Sequence, residues 1–176
     1  MLVIGSSIFG LEIPSSGPVF AVALVVHILA GLTCVVTGAV AMLSRKRAGR
    51  HPWFGTVYYW CLAVVFGSAT ILAAIRWERD RHLFFMGAVA FTTATVGYLA
   101  RRYRWRGWLS FHIPGLGLSY VAMLTAFYLD NGPRLPVWNR LPGWAFWIVP
   151  SLIGVPITLR ALVRHGQGIR AVKHEG

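Results

Sequence analysis

The sequence predicts an all-α, multi-pass membrane protein with five transmembrane helices. Its apolar residues come in five blocks, each close to the roughly 20 residues that a helix needs to cross about 30 Å of hydrocarbon. The composition is 56% hydrophobic and only 12% charged, which is far from that of a soluble domain. Arginine clusters and turns separate the blocks, and no polar stretch is long enough to fold alone. We therefore expect residues 1–176 to form a single transmembrane domain.

The predicted spans follow one another with short connections. They are residues 18–43, 53–75, 83–100, 109–129 and 144–163. The first is not a cleaved signal peptide, because its positive charges follow the apolar run instead of preceding it. The first four spans are predicted to form an antiparallel four-helix bundle. The fifth contains Pro150 and Pro156, which bend a helix, and it is expected to pack as a peripheral helix on the side of that bundle.

The placement of positive charge predicts the orientation in the membrane. Most of the 17 lysines and arginines fall on one side of the alternating spans, in the loops after the first and third spans and in the C-terminal tail. The positive-inside rule therefore places the N-terminus outside and the C-terminus in the cytoplasm. The net charge of +12 is explained by contact with anionic lipid headgroups, so nucleic-acid binding is not predicted.

The acidic residues argue against several kinds of membrane enzyme and transporter. All five lie in predicted loops or tails and none within a span. Ion-coupled transporters place carboxylates inside the membrane, where the cost of burial marks function. Zinc hydrolases need clusters of histidine and aspartate, which are also missing from the spans. The sequence therefore predicts no catalytic residue.

The histidines are the polar residues that could form a site. The first four spans carry one each, alternately towards the outer and the inner side: His27, His51, His82 and His112. Each shares a helix face with glycine or small polar residues, which allow close helix approach or leave room for a flat cofactor. Two neutral imidazoles facing each other across a bundle are a common way to hold haem b iron.

This histidine pattern resembles that of the two-haem transmembrane cytochromes b, which pass electrons across a bilayer. The resemblance implies an outer haem b bound by His27 and His82 and an inner one bound by His51 and His112, with a quinone as donor or acceptor. His27 and His112, inside their spans, would be the ligands that matter most. The hydropathy pattern departs from the family, because it places His27 roughly 10 Å deeper than His82 at helical rise.

A second resemblance covers more of the sequence. The stretches His51–Trp60, His112–Tyr120 and Thr125–Trp138 are similar to those of a small bacterial polytopic membrane family of unknown function, over roughly residues 25–160. It implies a fold and the bacterial plasma (inner) membrane, with no reaction. The alternative to a redox protein is therefore a non-catalytic accessory or structural subunit. Such a subunit would be held in a larger membrane complex by its helix faces and by the loop before the fifth span.

Overall fold

Five long helices make up most of the computed structural model, which describes residues 7–8, 11–12, 17–44 and 49–174 and the side chains of residues 17–44 and 49–165. The helices are α1 (Gly17–Leu43), α2 (Arg50–Ile75), α3 (Trp77–Arg102), α4 (Trp108–Asn131) and α5 (Ala145–His174). Two single-turn 3-10 helices, Gly132–Arg134 and Trp138–Arg140, lie between α4 and α5. A two-residue antiparallel pair, β1 (Ser7–Ile8) and β2 (Leu11–Glu12), precedes α1.

The prediction of an all-α chain with five helices long and apolar enough to span a membrane is confirmed. Among the described residues, five helices are long and apolar enough to cross a membrane. Many of their large apolar side chains are exposed on the outside of the helices, as they would be in hydrocarbon. α5 contributes its apolar part, Ala145–His165, to this set.

The third helix begins earlier than predicted. α3 starts at Trp77, not at residue 83, and Arg76 alone separates it from α2. The hydropathy pattern left this turn outside the span because the turn is charged. Glu78 and Asp80 nevertheless stabilise the start of a helix, because the backbone dipole is positive there.

This early start changes the expected depth of His82. The guanidinium of Arg76 lies 5.0 Å from the ring centre of Phe20, which sets a common level for α1 and the α2–α3 turn. At helical rise, His27 and His82 are each roughly 10 Å from that level. The depth difference inferred from hydropathy depended on a later start of α3, and the observed start at Trp77 removes that reason for it.

Close helix contacts are made through glycine. A Cβ atom added to Gly115 of α4 would lie 2.8 Å from the Cα of Gly97 on α3, so the two backbones touch there. Side chains of α5 and α4 fill the glycine positions that face them, with Thr158 against Gly117 and Val121 against Gly154. These contacts are of the small-residue type that associates helices in membranes.

Tyrosines connect the remaining helices. The Tyr58 hydroxyl of α2 is 2.9 Å from the Ser119 hydroxyl of α4, and both residues are fully buried. The Tyr120 hydroxyl of α4 donates to the Val35 carbonyl of α1 at 3.0 Å. Between α2 and α3, Tyr59 stacks on Tyr98 with ring centres 4.1 Å apart. In the described part of the chain every buried side-chain nitrogen or oxygen has a hydrogen-bond partner.

Candidate functional site

The inner pair of predicted histidines lies together. His51, in the first turn of α2, and His112, in the first turns of α4, have ring centres 6.3 Å apart, with ring planes at 88°. The two residues are 61 positions apart in sequence, so the fold brings them together. They lie at the end of the molecule where the basic loops are.

Backbone carbonyls orient both rings. Nδ1 of His51 donates to the Ala41 carbonyl at 2.8 Å, and Nδ1 of His112 donates to the Gly97 carbonyl at 3.0 Å. Ala41 is in the last turn of α1, where carbonyls lack a partner within the helix. A carbonyl only accepts, so each Nδ1 carries the hydrogen and each neutral ring has its lone pair on Nε2. Histidines that bind metals are typically held in this way by a second-shell carbonyl.

His112 also has an aromatic neighbour. The ring centre of Trp108, one turn earlier on α4, is 5.6 Å from that of His112. The guanidinium of Arg104 lies 5.9 Å from the Trp108 ring centre. Trp108 therefore lies beside the ring of His112 and has Arg104 of the basic loop near its own ring.

The ring separation is compatible with two imidazoles that bind one metal from opposite sides. Metal–imidazole bonds are about 2 Å long, so two imidazoles on opposite sides of one metal have ring centres roughly 6 Å apart. The observed 6.3 Å fits that value, and the angle between two axial rings is unrestricted. The described residues contain no group of three or more His, Cys, Asp or Glu side chains that could hold a bare metal ion. A haem supplies the other four ligands itself and needs only this pair.

The glycines that share a face with the histidines have two different roles. Gly97 and Gly115 allow α3 and α4 to touch, and Tyr120 covers Gly38. At Gly55, one turn from His51, an added Cβ would meet nothing within 4 Å. The position of Gly55 is therefore open, while the face shared by α3 and α4 is closed.

The outer pair is placed differently. Nδ1 of His27 on α1 donates to the Val65 carbonyl and the Ser68 hydroxyl of α2, each at 3.1 Å. His82 is exposed in the second turn of α3. Within the described chain no hydrogen bond or ring contact joins His27 to His82. The outer haem stays a prediction, and Ser68 is a partner that sequence reasoning did not find.

The observed hydrogen bond of His112 differs from the one that the nearby proline would favour. His112 precedes Pro114, which frees the Ser110 carbonyl in its own helix, so the ring could have served that carbonyl. Instead its Nδ1 bonds to Gly97 on α3. The ring therefore joins two helices. His165, in contrast, bonds only to the Ala161 carbonyl one turn back in α5.

Comparison with known proteins identifies no relative. No family model, curated protein or solved structure matches the chain. The two resemblances drawn from the sequence are therefore untested by comparison, and the function has to be argued from the residues.

Proposed function

We propose that this chain is a multi-pass membrane protein that binds one b-type haem between His51 and His112 and carries electrons through it. The observation that supports this most is the 6.3 Å between the two ring centres, which suits two axial ligands of one iron. A haem iron gains and loses one electron at a time without a change in its ligands.

The protein's own residues would bind and orient the group. Ala41 and Gly97 hold the two rings in the tautomer with the lone pair on Nε2, the nitrogen that binds iron. The absence of a Cβ at Gly55 leaves space beside His51 for the edge of a planar ring. Trp108 lies between the site and the basic loop, where it would limit access of water.

We also propose an orientation in the membrane and a cellular location. The N-terminus is outside and the C-terminus in the cytoplasm of a bacterial plasma membrane, so the His51–His112 pair lies near the cytoplasmic surface. The charge distribution supports this orientation. The tyrosine contacts of α1, α2 and α4 support a bundle of the first four helices, and the contacts of α5 with α4 support a peripheral fifth helix. Anionic lipids would surround the basic end.

A reduced-minus-oxidised absorption spectrum tests the haem. Purified wild-type protein, expressed with haem supplied, should show a sharp b-type band and about one haem per chain. His51→Leu and His112→Leu should each abolish the band, because each removes one axial ligand. His165→Leu is the matched control, since its ring bonds only within α5, and it should leave the spectrum unchanged.

Chemical rescue separates a lost ligand from a lost fold. His112→Ala removes the imidazole, and imidazole added to the solution should restore part of the band if the pocket is intact. Folded wild-type protein that purifies colourless would contradict the proposal. The accessory-subunit function would then be favoured, and the largely exposed apolar surfaces of α1 and α5 would be the candidate contact faces.

A further inference from the structure

A notch on the surface of α5 opens towards the lipid. It has a volume of about 530 Å³, and its lining residues all belong to α5: Trp147, Ile148, Ser151, Leu152, Val155 and Pro156. Their spacing places them on one side of the helix. Leu152 is 69% exposed, so the notch is open from outside the protein.

A hydrogen-bond acceptor in this notch lacks its usual donor. Pro156 has no backbone N–H, so the Leu152 carbonyl, four residues earlier, does not receive the regular helical hydrogen bond. In membrane helices a serine or threonine hydroxyl can serve such a carbonyl. The Thr158 hydroxyl does not do so, because it donates to the Gly154 carbonyl at 2.8 Å. The Leu152 carbonyl is therefore open to a donor from outside α5.

The same notch contains a hydrogen-bond donor. Within the described residues the Ser151 hydroxyl makes no hydrogen bond, although the residue is half-buried. The exposed Thr33, Thr56 and Thr70, in contrast, each donate to a carbonyl one turn back in their own helix. Ser151 lies six residues after the start of α5 at Ala145, or roughly 9 Å along the helix axis. An unpaired polar group at that depth is costly, because hydrocarbon offers no partner.

These two groups restrict what can cover the notch. The neighbour must present both a donor and an acceptor at the same depth in the membrane. Lipid acyl chains present neither, and lipid esters present only acceptors. A second copy of this chain presents both, because a two-fold axis along the membrane normal places equal residues at equal depth. Ser151 and Leu152 are neighbours in sequence, so this face is self-complementary, as a two-fold contact requires.

We propose that a second copy of this chain docks on the notch, with each Ser151 hydroxyl donating to the Leu152 carbonyl of the other copy. The product is a parallel homodimer joined through α5. Ile148 and Val155, on either side of the polar pair along the helix, supply apolar contacts. α5 packs against α4 through Gly117 and Gly154, outside the notch, so the dimer leaves that contact intact. The dimer does not depend on the presence of haem.

Energy transfer between labelled copies tests for the dimer. Donor and acceptor fluorophores are attached after Gly176, and the two samples are mixed in lipid vesicles over a range of protein-to-lipid ratios. Transfer should exceed the level of random collisions and should saturate with acceptor fraction as expected for a dimer. Excess unlabelled protein should abolish it. Transfer at the random level at every ratio would show a monomer and overturn the proposal.

A pair of tryptophan variants tests whether the dimer uses the notch. Leu152→Trp places a bulky ring in the notch and should abolish the transfer. Ile153→Trp places the same ring on the next residue, which is 60% exposed and lies outside the notch, and should behave like wild type. Because both positions are exposed, neither ring displaces packed side chains. Equal transfer in the two variants would refute the notch as the contact.

Variants of the polar pair test the hydrogen bonds. Ser151→Ala removes the donor and should weaken dimerisation by about three- to tenfold. Pro156→Ala returns an N–H to the Leu152 carbonyl within α5 and should weaken it in the same direction. Thr70→Ala is the matched control, since it removes an exposed hydroxyl that bonds only within α2, and it should leave the dimer unchanged. Wild-type dimerisation in both Ser151→Ala and Pro156→Ala would overturn the proposed contact.

Discussion

At the scale of single residues, buried polar side chains form hydrogen bonds to neighbouring helices. Tyr58 and Ser119 share a buried hydrogen bond at 2.9 Å, and the Ser119 hydroxyl also donates to the Leu116 carbonyl at 2.8 Å. The pairing of Tyr58 with Ser119 could not be predicted from sequence, because 61 positions separate the two residues and each is a polar residue on an apolar helix face. The pairing of His51 with His112 was predictable, because span direction alone places both at the basic end.

The tyrosine–serine pair gives a prediction with an internal control. Ser119→Ala leaves the buried Tyr58 hydroxyl without this partner, and should lower the free energy of unfolding by about 1–3 kcal/mol. The double variant Ser119→Ala/Tyr58→Phe removes both hydroxyls and should be more stable than Ser119→Ala alone. Thermal unfolding in detergent measures both. A double variant less stable than the single one would show that the hydrogen bond is unimportant.

At the scale of the helices, hydropathy located each span and misjudged where the third one begins. A transmembrane block is recognised by its apolar residues, whereas a helix continues through polar turns as long as its backbone is hydrogen-bonded. The charged turn at Glu78 and Asp80 belongs to α3 for that reason. The glycine faces were visible in the sequence. Which of them close a helix contact and which leave space depends on the neighbouring helix, and only the structure shows this.

Alanine substitution at two glycines tests which glycine positions close a helix contact and which leave space. Gly115→Ala places a Cβ 2.7 Å from the Thr93 carbonyl oxygen and 2.8 Å from the Cα of Gly97, so α3 and α4 must separate. We expect a loss of about 1–3 kcal/mol in unfolding free energy. Gly67→Ala in α2 meets nothing within 4 Å and should be neutral or slightly stabilising, as alanine favours helix. Similar melting temperatures for both variants would rule out a tight α3–α4 contact.

At the scale of the whole molecule, the two ends differ in charge. The connections after α1 and after α3 are rich in arginine, and so is the C-terminal tail, while the α2–α3 turn and the residues after α4 mix acidic and basic side chains. In the described residues the one ion pair within 4 Å joins Arg81 to Glu78, at 3.7 Å, both largely exposed. Such a surface pair contributes little stability. The charges among the described residues therefore contribute little to the stability of the fold, and their distribution supports the proposed orientation.

Reporter fusions test this orientation directly. A reporter inserted near Arg47, between α1 and α2, should be cytoplasmic, and one inserted near Asn131, after α4, should be external. A reporter after Gly176 should behave like the one near Arg47. Activity of the first two reporters on the same side would contradict the five-span topology.

The turn at Arg76 also limits how the molecule can move. Sliding one helix past another by a single turn displaces its end by about 5 Å, whereas one residue spans at most roughly 3.5 Å. Because only Arg76 joins α2 to α3, neither helix can slide a full turn past the other at this end. Between α1 and α4, the Tyr120 hydroxyl donates to the Val35 carbonyl at 3.0 Å and its ring covers Gly38.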